Sequence, residues 1–206
     1  MVIIDREYKL TEDNYINKEY KKKQIVIGNT FYNDMEHYRY WNSILNGKDK
    51  NTAAFTIKLD GSIHEHYNPK YYSKFININD YDKSIIPIVL ENEGWLTKVF
   101  RDNKFINWSG DIYNRDEDVI NLSWRSKKIW SPYSDEQINS LVYLCKELCT
   151  KFDIPLKVVD HNTKIDNIQR KKGIYYRSNY SITHLDVSPA FKFEEFTEKI
   201  LKNGTN

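Results

Sequence analysis

Short apolar runs and three-to-four periodicities alternate along this chain, and together they predict strands interleaved with helices. Gln24-Ile25-Val26-Ile27 is a β-branched run that stops at Gly28-Asn29, the pattern of a buried strand. Between Asp34 and Asn46, Met35, Tyr38, Trp41, Ile44 and Leu45 recur at helical spacing, with Asn33 as the N-cap and Gly47 as the stop. Ala53-Ala54-Phe55-Thr56-Ile57 and Leu59-Asp60-Gly61-Ser62-Ile63 predict a hairpin that turns at Asp60-Gly61. Ile85-Ile86-Pro87-Ile88-Val89-Leu90 predicts another strand, in which the proline calls for a bulge or a sheet edge. The clearest helix runs from Asp135 to Phe152. Ser134 and Gln137 make a capping box, Ile138, Leu141, Val142, Cys145, Leu148, Cys149 and Phe152 form one apolar face, and Pro155 follows its end. A last helix, Glu194 to Lys202, turns Phe193, Phe196, Ile200 and Leu201 inward and stops at Asn203-Gly204.

This alternation implies an α/β fold, a single domain with a central mixed β-sheet flanked by helices on both faces. Residues 1–23 are polar, close on Lys21-Lys22-Lys23 and read as an N-terminal extension, leaving 24–206 as the domain proper. Residues 97–133, charge-rich and bearing Trp and Tyr, predict only short strands and loops. A length of 206 residues suits one domain, and 40% hydrophobic with 29% charged residues is the balance of a soluble globular chain. Lys and Arg number 31 against 29 Asp and Glu, a net charge of +2, which argues against a nucleic-acid polymer as partner. Asp5-Arg6-Glu7 puts charge where a signal peptide needs apolar residues, and no apolar run approaches the ~20 residues of a membrane span. The expectation is a cytoplasmic protein without a membrane partner. Cys145 and Cys149, one helical turn apart, are expected to be buried reduced thiols. Aromatic residues make up 15% of the chain, and the abundance of Asn, Ile and Lys points to an AT-rich coding source such as a phage or a low-GC bacterium.

The tail Ile182-Thr183-His184-Leu185-Asp186-Val187-Ser188-Pro189-Ala190-Phe191 resembles the closing motif of the zinc-dependent N-acetylmuramoyl-L-alanine amidases, the family that includes phage lysozyme-like amidases and peptidoglycan recognition proteins. Further landmarks fall in order: Ile25-Val26-Ile27, the hairpin around Asp60-Gly61, Glu65 to Ser73, Ile88 to Asn92, the Asp135–Phe152 helix and Gly173-Ile174-Tyr175. The resemblance implies the amidase fold and assigns a zinc ligand to Asp186. It also places zinc-binding histidines at Gly28 and Arg177 and a catalytic carboxylate at Val89, two residues before Glu91. Glycine offers no ligand, and a guanidinium cannot coordinate a cation. A zinc site needs three protein ligands and an open position for water, so the expected cofactor is none. The alternative is Zn held by a rebuilt site: His184 and Asp186 lie two residues apart, as do His64 and His66. His37 and His161 read as surface residues.

Two functions stay open. One is a catalytically inactive amidase-fold protein, a pseudoenzyme of phage origin with no catalytic residues, that captures a ligand in the old substrate cleft. That ligand is a peptidoglycan fragment, or a small anionic nucleotide-like immune signal that the protein sequesters. Arg177 would be its charge partner, with Asn29, Tyr32, Tyr71, Tyr72, Phe75, Glu91, Trp95, Tyr176, His184 and Asp186 around it, and Tyr175 beside them. Core packing is the plain alternative for each aromatic, and a solvated loop for Arg170-Lys171-Lys172. The other function is an active amidase with a displaced zinc site.

Overall fold

The computed structural model describes residues 3–99, 104–161 and 163–202. Six strands form the main sheet: β1 (Ile4–Asp5), β2 (Gln24–Asn29), β3 (Phe55–Ile57), β4 (Ile63–Glu65), β5 (Ile85–Leu90) and, near the end of the chain, Gly173–Tyr176. Between β5 and that last strand come β6 (Thr97–Val99), β7 (Lys104–Ile106), β8 (Ile112–Tyr113), β9 (Ile120–Trp124) and β10 (Lys127–Trp130), so Gly173–Tyr176 is β11. The helices are α1 (Glu36–Ser43), α2 (Asn79–Asp82), α3 (Asp135–Phe152), α4 (Arg177–Tyr180) and α5 (Phe193–Leu201). The main sheet runs β1-β4-β3-β5-β2-β11, parallel except where the hairpin pairs β3 with β4. Thr56 faces α1, where its Oγ1 meets His37 Nε2 at 2.8 Å. Its neighbour Phe55 points the other way and shares a cavity wall with Leu144 and Leu148 of α3. Helices therefore cover both faces of a mixed sheet, as the periodicities imply.

Pro87 lies at neither an edge nor a bulge. It pairs with Val26 in β5, which sits between β2 and β3. Pro87 O accepts from Ala54 N at 3.0 Å, and a parallel ladder would route the missing N–H to Thr52 O. That carbonyl accepts from Ser73 Oγ at 2.5 Å instead, so no acceptor is orphaned by the proline.

Other elements depart from expectation for local reasons. Met35, left-handed at φ 58°, is the N-cap of α1 and no side chain caps it; Asn33 gives only its carbonyl, 3.0 Å from Glu36 N. The helix stops at Ser43, and a 3-10 turn with Leu45 at φ 50° leaves that leucine 71% exposed. Ser134 Oγ caps α3 by accepting from Gln137 N at 3.0 Å. Gln137 does not reach back; its amide donates to Ile57 O and Glu91 O at 2.9 and 3.0 Å, tying the helix start to β3 and β5. Cys145 and Cys149 are buried and free. In α5 Phe196 and Ile200 are buried, while Leu201 is exposed. Asn203-Gly204 lies outside the described residues.

The segment before residue 24 is built into the molecule. β1 extends the sheet beside β4, and the Asn14 amide donates to the carbonyls of Trp41, Gly47 and Asp49. Residues 97–99 and 104–130 form a three-stranded sheet, β6-β7-β8, and the β9–β10 hairpin. No helix among the described residues is long and apolar enough to cross a membrane.

Candidate functional site

The site forms at the end of β11, beside the last residues of β2. Ile27 pairs with Tyr176, the last residue of β11, so Gly28 of β2 lies beside Arg177, which opens α4. A Cβ on Gly28 would stand 2.5 Å from Asp186 Oδ2, 2.7 Å from Arg177 Cδ and 3.1 Å from Phe75 Cζ. The missing side chain is what lets these three groups meet. Asp186 is 1% exposed; its Oδ2 accepts from Asn29 N at 3.1 Å and faces Arg177 Nη1 at 3.4 Å. The guanidinium also lies over the Phe75 ring, 5.0 Å from its centroid. Gly28→Ala is therefore expected to destabilise by about 1–3 kcal/mol through overpacking, read as a lower denaturant midpoint. Unchanged stability would show that Arg177 and Asp186 move aside freely.

Arg177 and Asp186 form part of a cavity of about 370 Å³ that Tyr32, Trp95, Trp108 and His184 also line. Trp108 is held by its indole N–H, 2.8 Å from Phe31 O, and meets Tyr32 edge to face at 5.4 Å. Lys127 Nζ sits 3.3 Å from the centre of the Trp95 ring. A second cavity of about 160 Å³ shares Arg177 and Tyr32 and adds Asn29, Phe75 and Val89. The Arg125 guanidinium, from the β9–β10 turn, donates to Ser178 O at 3.2 Å, Ser181 O at 3.1 Å and His184 O, pinning the loop that carries Asp186. Two guanidiniums thus stand near one buried carboxylate. The field is felt at His184, whose imidazole is held below its ordinary value by burial and then by Arg177, with Asp186 opposing and Arg125 adding.

Seven residues singled out in the sequence come together here: Asn29, Tyr32, Phe75, Trp95, Arg177, His184 and Asp186. Four do not. The Glu91 carboxylate turns to the hairpin and accepts from Leu59 N at 3.1 Å. Tyr71 stacks on Tyr15 at 5.7 Å, and Tyr72 pairs its backbone with Ile16, so both hold the N-terminal segment. Tyr176 is wholly buried against His161 and Phe191, because a strand residue preceding Arg177 points into the core. Tyr175 is also core, while Arg170-Lys171-Lys172 is exposed. His37 and His161 are not surface residues; they are 2% and 4% exposed, His37 inside α1 and His161 among Tyr176, Phe191 and Phe193. Sequence reading missed Trp108 and Arg125, which lie in the segment whose polar, half-exposed strands carry no clear period.

The residues present do not make a zinc site. The space before Gly28 is filled, and the one carboxylate in register is paired with a cation. His184 lines the cavity with Asp186, but no third ligand joins them: among the described residues no three His, Cys, Asp or Glu come together as a metal set. His64 and His66 do not converge either. His66 Nδ1 lies 2.6 Å from Tyr8 O and Nε2 2.8 Å from Thr56 Oγ1, whereas His64 Nδ1 faces Asp5 at 3.3 Å.

A family model described as N-acetylmuramoyl-L-alanine amidase matches residues 18–173. Among the curated proteins none matches the chain. Among solved structures, a mutant endolysin from Bacillus subtilis aligns with a TM-score of 0.57 at 15% identity, covering 97% of this chain and 99% of that one. The amidase AmiD from E. coli, in complex with anhydro-N-acetylmuramic acid-L-Ala-D-gamma-Glu-L-Lys, aligns at 0.55 and 15% identity over 89% of this chain and 59% of that one. AmpDh3 from Pseudomonas aeruginosa, in complex with an anhydromuramic pentapeptide, aligns at 0.52 and 12% identity over 97% and 66%.

Proposed function

This chain belongs to the N-acetylmuramoyl-L-alanine amidase family, and we propose that it holds a peptidoglycan fragment in the family cleft without cutting it. The observation that carries this reading is the Arg177–Asp186 pair, which fills the space where the family resemblance puts a metal-binding histidine. Val89 stands where that resemblance puts the catalytic carboxylate, so the family's general base is missing from its position as well.

What remains is a binding surface. Trp95 and Trp108 offer ring faces and edges to a sugar, and the cavity volume of about 370 Å³ is that of a small-molecule site. The guanidiniums of Arg177 and Arg125 against the single Asp186 leave a positive excess that favours an anion. The muropeptide bound by AmiD contains a γ-linked glutamate, whose free α-carboxylate is such a group. A carboxylate bound to Arg177 by two parallel donors would also fix the orientation of the peptide stem.

Calorimetric titration with that muropeptide, followed by product analysis, tests the reading. Wild type is expected to bind it and return it intact, with zinc far below one per chain. Arg177→Lys keeps the charge but loses the fork, and should weaken binding roughly tenfold. Trp108→Ala should weaken it by a similar factor. Release of the peptide by zinc-loaded wild type would establish an active amidase instead. Binding of a cyclic or ADP-ribose-type nucleotide, with no affinity for the muropeptide, would replace the ligand class.

A further inference from the structure

The end of the main sheet opposite the cleft is crowded with lysine, and strand register is what gathers it. Gly173, Gln24 and Ile85 open β11, β2 and β5 in one row. The residues just before them stand side by side: Lys172, Lys23 and Ser84, and behind these Lys171, Lys22 and Lys83. Gly173 N donates to Lys23 O at 3.2 Å and Lys23 N to Ser84 O at 2.8 Å, so backbone holds the row together. Lys157 flanks β11 on its outer side, its carbonyl accepting from Ile174 N at 2.8 Å. Lys22 is buried and spent on structure, its ammonium donating to Tyr71 O at 2.5 Å and Lys83 O at 3.1 Å. Lys83 pairs with Asp80 at 3.1 Å. Lys21, Lys23, Lys157, Lys171 and Lys172 are exposed, and none of them forms an ion pair among the described residues. Adjacent strands lie about 4.8 Å apart, and like charges held that close repel unless an anion comes between them.

The row runs into a groove. Lys21 and Lys22 share a cavity of about 470 Å³ with Lys70 and Lys151, and the rings of Tyr20 and Phe152 line it as well. Lys18 and Lys83 lie 5.4 and 5.7 Å from the centre of the Tyr20 ring, and Lys151 lies 5.6 Å from that of Phe152. Glu19 and Asp153 are the acids of this lining, and Glu19 is already 3.7 Å from Lys70. Cations and rings therefore alternate along one track, with positive charge in excess. The net charge of +2 conceals this, because it sums over the whole molecule while the fold collects lysines from four separate segments at one edge.

From this arrangement we infer that the lysine edge is a second site, separate from the cleft, that takes a single-stranded polynucleotide by its phosphates without reading its sequence. Lysine meets phosphate as a point charge and sets no orientation, which suits a backbone track. A chain that alternates phosphates with flat bases matches a groove that alternates ammonium groups with Tyr20 and Phe152. Inorganic polyphosphate has no ring to offer them, and a bilayer cannot enter a groove.

The test is fluorescence anisotropy of a labelled oligothymidylate titrated with the folded protein at several salt concentrations. Binding is expected to saturate and to weaken as salt rises. Lys21→Gln/Lys23→Gln/Lys172→Gln changes exposed side chains only, so the denaturant midpoint should hold while affinity falls roughly tenfold or more and the slope of log affinity against log salt flattens by about 2. Lys98→Gln/Lys104→Gln/Lys128→Gln removes the same charge from exposed positions of β6, β7 and β10 and should leave affinity within roughly twofold. Unchanged binding in the first variant, or equal losses in both, would overturn the site. Inorganic polyphosphate bound as tightly as the oligonucleotide would remove the rings from the interaction and with them the polynucleotide. Capture of phosphatidylglycerol vesicles without affinity for the oligonucleotide would overturn the inference in favour of a membrane. Muropeptide binding in the cleft bears on none of these outcomes.

Discussion

Arg177→Ala is expected to cost about 3 kcal/mol of folding stability, far more than an exposed arginine would. Asp186 is 1% exposed, and Arg177 Nη1 at 3.4 Å is the cation paired with it. Removing that cation leaves a buried carboxylate with the Asn29 N–H and the more distant field of Arg125. The Arg177 side chain is 18% exposed, so water can reach part of the vacated space and the cost falls at the low end for a broken buried pair. The informative variant is the double one. Asp186→Asn keeps an acceptor for Asn29 N but removes the charge, so Arg177→Ala/Asp186→Asn should recover most of the loss. Urea denaturation of the four proteins gives the coupling directly. Additive single effects would mean that the pair carries no buried ion-pair energy.

Acid is the second strong perturbation. The imidazoles of His66 and His161 are pushed down from 6.5 to about 4, in both cases mainly by burial, with Tyr8 O opposing at His66 and Asp160 opposing at His161. Between those values the unfolded chain binds protons that the folded protein refuses. The stability is therefore complete above about pH 6.5 and is lost as pH falls towards about 4. Asp82 acts in the opposite sense. Burial raises its carboxyl to about 6 against backbone donors led by Ile76, so the folded protein takes up that proton first and gains stability as pH falls. Two histidines outweigh one aspartate, and His37 adds to them. A net loss on the order of 3 kcal/mol is expected between about pH 7 and about pH 5. His161→Phe, which keeps ring contacts with Tyr176 and Phe191, should reduce the pH slope. A denaturant midpoint that does not move between these two pH values would contradict the assignment of these rings as buried and neutral.

Much of the scaffold was legible in the sequence because its elements announce themselves locally. The run Ile25-Val26-Ile27 is apolar without alternation because β2 is covered on both faces, and α3 shows its stripe because one side of a long helix meets the sheet. Asp60-Gly61 marks a turn because Gly61 sits at φ 85°. The same local logic misjudged Pro87, since only the sheet reveals that the acceptor it would need is already taken by Ser73. It also misplaced Tyr71 and Tyr72, whose partners lie in the polar segment before residue 24.

For the site, the sequence by itself determined the residue types: glycine at 28, valine at 89, arginine at 177 and aspartate at 186, a set that cannot assemble three zinc ligands. Tertiary structure alone decided what those residues do instead. The register of β2 against β11 sets Gly28 beside Arg177, and the return of the chain after α4 brings in Asp186, so a charge that looked free in sequence is paired in space. Arg125 reaches the site from an intervening hairpin, more than fifty residues before the carbonyls it holds. Periodicity reports which side of an element is buried. It carries no information about which distant side chain meets another, because that is set by sheet register and loop path.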